Sequence, residues 1–444
     1  MSALPEEPDH FLRWARANYA LSVRATSFLP RRVYGHYVGC LLDEAIGNSS
    51  ASKFQWIQDE VCSLAHEGSQ TKVQLKDGGS LIAGVVVLAP GNFPPANLNI
   101  PGLSDLSKRY VRSACSAEAL RDIPSNGEVL LIGSGLTSID VAVALKSEGF
   151  AGHIHILSRR GLIPQPHRQT DPWPQFWNEQ SPRNTRGLLR MVREQVRAAS
   201  VAGVDWRAVI DALRPVTQKI WQSLPFEERR RFLRHLRSYW EVHRHRIAPE
   251  IGDALASLIH DRQASLYAGR IESYREFQDY AEVGLLERKS RSQRRLRVDR
   301  VINCTGPETD GRRIHDPLIR SLLAQGSARP DSLFLGLDVD LNGALLDASG
   351  TPSEVLYVIG PARKGCLWES IAVPELRVQA SQLAEHLAGR FGSSHQEASG
   401  ERLTLPLESL EPRREPGMSV EQCRPQLEIQ NCRGSSPGRR EKVQ

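Results

Sequence analysis

The sequence predicts an α/β fold with a Rossmann-type dinucleotide unit, an all-α insertion and a disordered C-terminal tail. Three observations carry that prediction. At 128–158 an apolar strand runs into Gly-x-Gly-x-x-Ser, a helix follows, and a second strand lies behind it. Between about 175 and 265 strand signals vanish, and Leu, Trp, Val and Arg recur at helical spacing. From 393 to 444 the chain is rich in Ser, Pro, Arg, Glu and Gln, with few aromatics. Such a composition buries too little apolar surface to offset its ordering entropy.

Taken in order, helical stretches run from Asp9 to Ala20 and from about Gly35 to Ile46. Strands are predicted at Phe54–Val61, Lys72–Leu75 and the buried run Leu81–Ala89, with Asp77-Gly78 as a hairpin turn between the last two. The run ends in the sharp loop Pro90-Gly91-Asn92-Phe93-Pro94-Pro95. In the helical region, Trp206, Val209, Ile210 and Leu213 share a face, and Leu224-Pro225-Phe226-Glu227-Glu228 reads as a helix start, because Pro suits the first turn and carboxylates suit the positive end. Strands resume near Ser265. Arg300–Cys304 ends in Thr305-Gly306-Pro307, and Val355–Ile359 ends in Gly360-Pro361 before a helix at Pro374–Leu387.

Composition narrows the class. The 444 residues carry 57 Lys plus Arg against 51 Asp plus Glu, a net charge of +6, with 40% apolar and 24% charged residues. This is ordinary globular composition, and it excludes a wholly disordered, collagen-like or coiled-coil chain. At roughly 100–200 residues per domain the length predicts two or three domains. The arginine surplus gathers at 229–246, 288–300 and in the tail, and reads as solvated helical faces, not as a nucleic-acid footprint. No nucleic-acid partner is expected. The N-terminus is acidic and lacks a signal-peptide core, and the longest apolar stretch is far short of the ~20 residues that span a bilayer. No membrane association is expected. Seven scattered cysteines (Cys40, Cys62, Cys115, Cys304, Cys366, Cys423 and Cys432) form no Cys-x-x-Cys, which predicts reduced thiols and a cytoplasmic setting.

The strongest local signal is Glu128-Val129-Leu130-Leu131-Ile132-Gly133-Ser134-Gly135-Leu136-Thr137-Ser138. Gly133 permits the tight turn, Gly135 lets backbone approach a pyrophosphate, and Ser138 supplies the small third residue for helix–strand packing. Gly133, Ser134, Gly135, Leu136, Thr137 and Ser138 would cradle the diphosphate at the helix N-terminus. The second strand ends in Ser158-Arg159-Arg160, where an NAD site would carry Asp or Glu for the ribose hydroxyl. Ser158 with Arg159 and Arg160 suits a 2′-phosphate, so NADPH is the expected nucleotide.

These residues, with several other stretches, resemble the two-dinucleotide-binding FAD/NAD(P)-binding proteins related to FAD-dependent urate hydroxylases and other flavin monooxygenases. The stretches include MSALPEEPDHFLRW (1–14), PRRVYGHYV (30–38), LAPGNFPPA (88–96), LLIGSGLTSIDVAVAL (130–145), IHILSRRGLIPQPHR (154–168), VINCTGPETD (301–310), LYVIGPARKGCLWES (356–370) and AVPELRVQA (372–380), and the likeness spans about 1–390. The resemblance implies two Rossmann-like domains, an FAD domain interrupted by an NADPH domain. It implies boundaries at 1–110 for the first FAD part, 111–299 for the NADPH domain with its helical insertion, 300–392 for the second FAD part and 393–444 for the tail. It also implies that Gly91, Asn92, Thr305, Gly306, Pro307, Gly360 and Pro361 pass close to the flavin. Family members open with their own strand–GxGxxG–helix about 70 residues before the equivalent of Met1, so Met1 is expected to be an interior residue. Pro90 stands where the family usually has Leu, and Tyr110-Val111-Arg112-Ser113-Ala114-Cys115 stands where relatives carry an Asn-Pro-Trp-like segment.

Other candidates read as structural. His235, His243 and His245 crowd an arginine-rich helical stretch, but no carboxylate is spaced to share a metal with them, so no metal site is expected. The resemblance puts His36 near the flavin side, and Cys366, without a nearby partner Cys, reads as a packed residue. The expected function is therefore an FAD-dependent, NADPH-linked oxidoreductase of the flavin monooxygenase type, acting on a small molecule that the sequence does not name. The alternative is a truncated or degenerate relative that binds NAD(P)H without FAD and has no catalytic activity. The sequence identifies no catalytic acid or base and no oligomeric state.

Overall fold

The computed structural model describes residues 1–49, 53–67 and 70–397. Met1–Arg390 form one compact unit. Of the second, Phe391–Gln444, the described part is 391–397, which is helical. The predicted tail from 393 otherwise lies outside the described residues.

The chain opens with helices α1 (His10–Asn18) and α2 (Arg31–Asn48). They meet through Tyr37, which is fully buried and accepts or donates a 2.9 Å bond with His10 Nδ1. A three-stranded antiparallel sheet follows, β1 (Val61–Glu67), β2 (Gln70–Leu75) and β3 (Ser80–Ala83). The Asp77-Gly78 turn between β2 and β3 forms as predicted, with Gly78 at φ +96°. The strand expected at Phe54–Val61 does not form. Residues 53–60 form no strand, Phe54 and Trp56 stay 51% and 74% exposed, and the ladder begins only at Val61, after the Glu60 carbonyl accepts from Lys76 N at 2.9 Å. The expected buried run Leu81–Ala89 is also not one strand. It bends at Gly84 and splits between β3 and β4 (Val86–Leu88), which belong to different sheets. Leu81, Ile82 and Val87 are exposed, and only Leu88 is buried in the core.

The central seven-stranded sheet comprises β5 (Tyr110–Val111), β6 (Glu128–Ile132), β7 (His153–Ser158), β8 (Ala264–Glu276), β9 (Ala281–Glu287), β10 (Gln293–Val298) and β11 (Arg300–Asn303), in the order β10-β9-β8-β7-β6-β11-β5. Strands β8, β7, β6, β11 and β5 run parallel, and β9 and β10 add an antiparallel edge. Helix α3 (Leu136–Ser147) links β6 to β7. Both faces of β6 are buried, which is why Val129-Leu130-Leu131-Ile132 is a continuous apolar run. On one face Val129, Leu131, Ile154 and Ile156 pack against Ile139 and Leu145 of α3 and against Leu255 and Leu258. On the other, Leu130 and Leu157 pack against Val283, Leu285 and Val298. Each such aliphatic side chain, fully buried, contributes about 1.5–3 kcal/mol.

Between β7 and β8 lie six helices: α4 (Thr185–Val201), α5 (Trp206–Leu213), α6 (Thr217–Ser223), α7 (Phe226–His235), α8 (Arg237–Arg244) and α9 (Pro249–His260). Local chemistry sets their starts. Asn184 accepts from Gly187 N at 2.7 Å, and Asp205 accepts from Arg207 N at 2.9 Å. Pro225 caps α7, and Glu227 and Glu228 fill its first turn. Glu228 also accepts from Thr185 N at 2.7 Å, which ties α7 to the start of α4.

After β11 come α10 (Pro317–Ala324), β12 (Ala344–Leu346), β13 (Pro352–Val358), the short α11 (Lys364–Leu367) and α12 (Val373–Glu397). Strand β13 lies between β12 and β4, parallel to β4, and its core joins Leu64, Leu88, Ile319, Leu322 and Leu356. The chain's first 90 residues and its last strands thus share one core. None of the described helices is long and apolar enough to cross a membrane.

Candidate functional site

The phosphate loop sits at the carboxyl end of β6. Gly133 N donates to Leu157 O at 2.8 Å, and Cys304 N donates to Ile132 O at 2.8 Å, so the ends of β7, β6 and β11 are stitched together there. Gly133 has φ +117°, and an added Cβ would lie 2.5 Å from Cys304 O. Glycine is required both by that backbone angle and by that close approach. Gly135 caps α3 with no side chain on the helix end, and no acidic residue lies in the first turn. The helix N-terminus is thus electrostatically open to an anion. Ser138 is fully buried against the sheet, in the packing role expected of it. Ser134 is held by a hydroxyl bond to Leu162 O, while Leu136 and Thr137 stay part-exposed on the first turn.

The second-strand end is one layer over. Ser158 Oγ accepts from Gly161 N at 3.0 Å and shapes the turn that carries Arg159 and Arg160. The Arg160 guanidinium lies 4.9 Å over the Tyr239 ring, and its Nη2 donates to Arg234 O at 3.4 Å, so α7 and α8 hold it in place. Arg159 is exposed.

Both arginines line a cavity of about 1460 Å³, together with Thr305, Gly306 and Pro307 from the β11 turn and with residues of α7 and α8. Thr305 is fixed by Asn303, whose Oδ1 accepts from Thr305 N at 3.1 Å and from its hydroxyl at 2.7 Å. The lining includes eight arginines (159, 160, 230, 231, 234, 237, 288 and 313) and three glutamates (227, 241 and 308). Four of the arginines are paired: Arg230 with Glu227 at 3.2 Å, Arg237 with Glu241 at 2.8 Å, Arg313 with Glu308 at 3.3 Å, and Arg231 with Glu228. Among the described residues, Arg159, Arg160, Arg234 and Arg288 face no carboxylate. The lining thus carries an excess of positive charge that favours an anion.

The remaining turns meet nearby. Gly91, Asn92, Pro307 and Pro361 line a cavity of about 20 Å³, room for one water, which shares Pro307, Glu308 and Thr309 with the large cavity. Gly360 is buried behind it and donates its N–H to Gln379 Oε1 at 3.0 Å. At Gly91, Gly135 and Gly306 an added Cβ would meet nothing within 4 Å, so these backbones face open space where a ligand can approach. The structure therefore places Arg159, Arg160, Thr305, Gly306 and Pro307 on one cavity and Gly91, Asn92 and Pro361 on its neighbour. The 133–138 loop adjoins the 305–307 turn through the Gly133–Cys304 contact, without itself lining either cavity.

Sequence reading missed Arg234, Arg237 and Arg288. All three belong to stretches read as solvated, 229–246 and 288–300, although Arg230, Arg234 and Arg237 recur at helical spacing on one face. Arg288 N donates to Ala268 O at 2.8 Å, and Ala268 pairs with Ser158 across β7 and β8, which brings Arg288 beside Arg159. Only tertiary structure shows that.

The other candidates separate. His36 is exposed on α2, 5.3 Å from the Trp14 ring, and lines neither cavity. His235 lines the large cavity, whereas the His245 imidazole is pushed below its ordinary range by burial. The Cys366 thiol is raised by burial, and Cys304 is pushed up to about 12 by the same cause; neither is poised as a thiolate. Among the described residues no three His, Cys, Asp or Glu side chains gather as a metal site.

A family model described as FAD-NAD(P)-binding matches residues 1–93. Comparison with curated proteins finds no match. Among solved structures, the chain is similar to ornithine hydroxylase from Pseudomonas aeruginosa, at 15% identity and a TM-score of 0.56, covering 87% of this chain and 83% of that one. It is similar to the FAD-bound cadaverine monooxygenase of desferrioxamine biosynthesis from Erwinia amylovora, at 15% identity and 0.55, covering 93% and 85%. It is also similar to L-lysine 6-monooxygenase from Pseudomonas syringae, at 18% identity and 0.51, covering 83% and 81%. The chain shares the fold of these structures.

Proposed function

We propose that this chain is an FAD-dependent, NADPH-linked oxidoreductase of the flavin monooxygenase type. One observation carries the reading: an arginine pair after β7 and the Thr305–Pro307 turn after β11 line one arginine-rich cavity, and the open phosphate loop at β6 adjoins that turn through the Gly133–Cys304 contact. In this reading the N–H groups at the start of α3 hold the nucleotide diphosphate, and Arg159 and Arg160 take the 2′-phosphate, with Arg234 and Arg288 adding positive potential behind them. Gly91, Asn92, Thr305, Gly306, Pro307, Gly360 and Pro361 would form the flavin side, with open space at the Gly91 and Gly306 backbones and Gly360 buried behind them. Bound flavin would supply the redox chemistry, accepting hydride and reacting with O2. The protein's own contribution is to orient the two cofactors and exclude water.

The substrate belongs to a small-molecule class still to be named. Relatives of the fold act on ornithine, lysine and cadaverine by their descriptions. The lining here, with eight arginines to three glutamates, favours an anionic group over a bare ammonium. Free thiols at Cys40, Cys62, Cys115, Cys304 and Cys366 suit a reducing, cytoplasmic setting for this activity.

The test is the visible spectrum of the purified chain after incubation with excess FAD and gel filtration, followed by anaerobic NADPH addition. Flavin bands at near-stoichiometric occupancy that bleach with NADPH are expected. A colourless protein that still binds NADPH would overturn the enzyme reading in favour of a nucleotide-binding protein without FAD.

A further inference from the structure

The helical insertion forms a second, partly open pocket of about 700 Å³ among α4, α5, α6, α7 and α8. Four of the chain's eight tryptophans, Trp206, Trp221, Trp240 and Trp368, line it with Phe232 and Tyr239. Its walls offer little polarity. The Thr185 hydroxyl is spent on Glu228 O at 2.9 Å, and the Thr217 hydroxyl on Leu213 O at 2.9 Å. His243 Nδ1 donates to Tyr239 O at 2.7 Å, and Arg193 is exposed on α4. No carboxylate lines the space. Across it, Leu188, Leu189, Val192 and Val196 of α4 are half-buried, because they face this open volume instead of other side chains.

An apolar pocket of this size left to water is costly, because its walls keep apolar surface hydrated and forgo dispersion contacts that a ligand would supply. The volume falls within the roughly 300–1,000 Å³ of small-molecule sites. The wall is also held against strain. Trp368 has φ +62°, a left-handed conformation unusual for a bulky side chain, and stacks on Trp221 at 5.0 Å with the rings 29° apart. Trp221 is in turn fixed by Nε1 donating to Gly365 O at 2.8 Å.

We propose that this cavity binds an uncharged, largely hydrocarbon small molecule, at a site separate from the dinucleotide cavity. Helices α7 and α8 are the partition. Phe232, Leu236 and Tyr239 face the apolar space, while Arg230, Arg234 and Arg237 face the nucleotide side.

The experiment titrates the full chain with 1-aminoanthracene, an uncharged fluorescent probe, and then competes it with dodecanol and with dodecanoate. Saturable binding at one site per chain is expected, with dodecanol displacing the probe at least as well as dodecanoate. Val192→Phe with Val196→Phe, which fills the space, is expected to weaken probe binding at least tenfold with NADPH affinity unchanged. Should that double variant fail to fold, the unmodified chain still decides the matter. Dodecanol should shift the emission of the lining tryptophans to shorter wavelength in a saturable way. Non-saturable probe binding, binding untouched by the filling substitutions, or unshifted tryptophan emission would each overturn the proposal. Dodecanoate preferred more than tenfold, with the preference lost in Arg193→Gln, would overturn its uncharged character.

Discussion

Arg244 and Glu369 form a buried ion pair, with Nη2 2.8 Å from Oε2 and side chains 8% and 7% exposed. The pair joins α8 of the helical insertion to the segment that follows the Gly360-Pro361 turn. Glu369 also accepts from Trp240 Nε1 at 3.1 Å, and its carbonyl accepts from Gln218 Nε2 at 2.8 Å. Removing one member of such a pair strands a buried charge at a cost of about 3–5 kcal/mol. Glu369→Ala should therefore lower unfolding free energy by that order in urea denaturation. Glu369→Gln, which keeps the shape and an acceptor, should cost less.

The two glycines of the phosphate loop should behave differently. Gly133→Ala puts a Cβ 2.5 Å from Cys304 O at φ +117°, so backbone must shift, and the melting temperature should fall. Gly135 has φ −85° and open space around it, so Gly135→Val should melt like the parent. That side chain would occupy the approach to the helix end, and NADPH binding by calorimetry should weaken more than tenfold.

Nucleotide choice rests on Arg159 and Arg160. A charge-assisted hydrogen bond is worth about 1.5–3 kcal/mol. The Arg159→Ala, Arg160→Ala double variant should raise the NADPH Kd roughly ten- to a hundredfold and leave the NADH Kd nearly unchanged. Equal NADPH affinity in the variant would remove the 2′-phosphate assignment.

Lys364 gives a pH signature. Its ammonium lies 5.0 Å over the Trp368 ring, and desolvation, with repulsion from Arg237, lowers its pKa from 10.5 to about 8. The unfolded chain keeps this proton up to about 10.5, whereas the folded chain releases it from about 8. The folded state thus carries a penalty at neutral pH that fades as pH rises from 8 toward 10.5, on the order of 3 kcal/mol in full. Lys364→Met should be more stable than the parent at pH 7, and the advantage should shrink by pH 10 in parallel thermal melts.

What the sequence revealed follows from how local each signal is. The strand, glycine turn and helix at 128–147 need only neighbours in the chain, and they form as read. The hairpin at Asp77-Gly78 and the helix at Trp206–Leu213 are equally local. Phe54–Val61 misled because β-branched and aromatic content does not supply a pairing partner, and Leu81–Ala89 misled because one bend at Gly84 sends its halves to two sheets. The arginine-rich walls of the large cavity were invisible for a related reason. Arg159, just after β7, and Arg234, in α7 of the helical insertion, line the same cavity 75 residues apart, and a single helix face does not declare whether it meets solvent or a ligand.

The Arg244–Glu369 staple also has a consequence for synthesis. Glu369 follows Arg244 by 125 residues, so at about 5–20 residues per second the insertion leaves the ribosome roughly 6–25 s ahead of its anchor. Throughout that interval Trp221 lacks Trp368, and Arg244 lacks its carboxylate. The nascent insertion waits with an apolar pocket open, and its last wall forms only when Trp368 arrives.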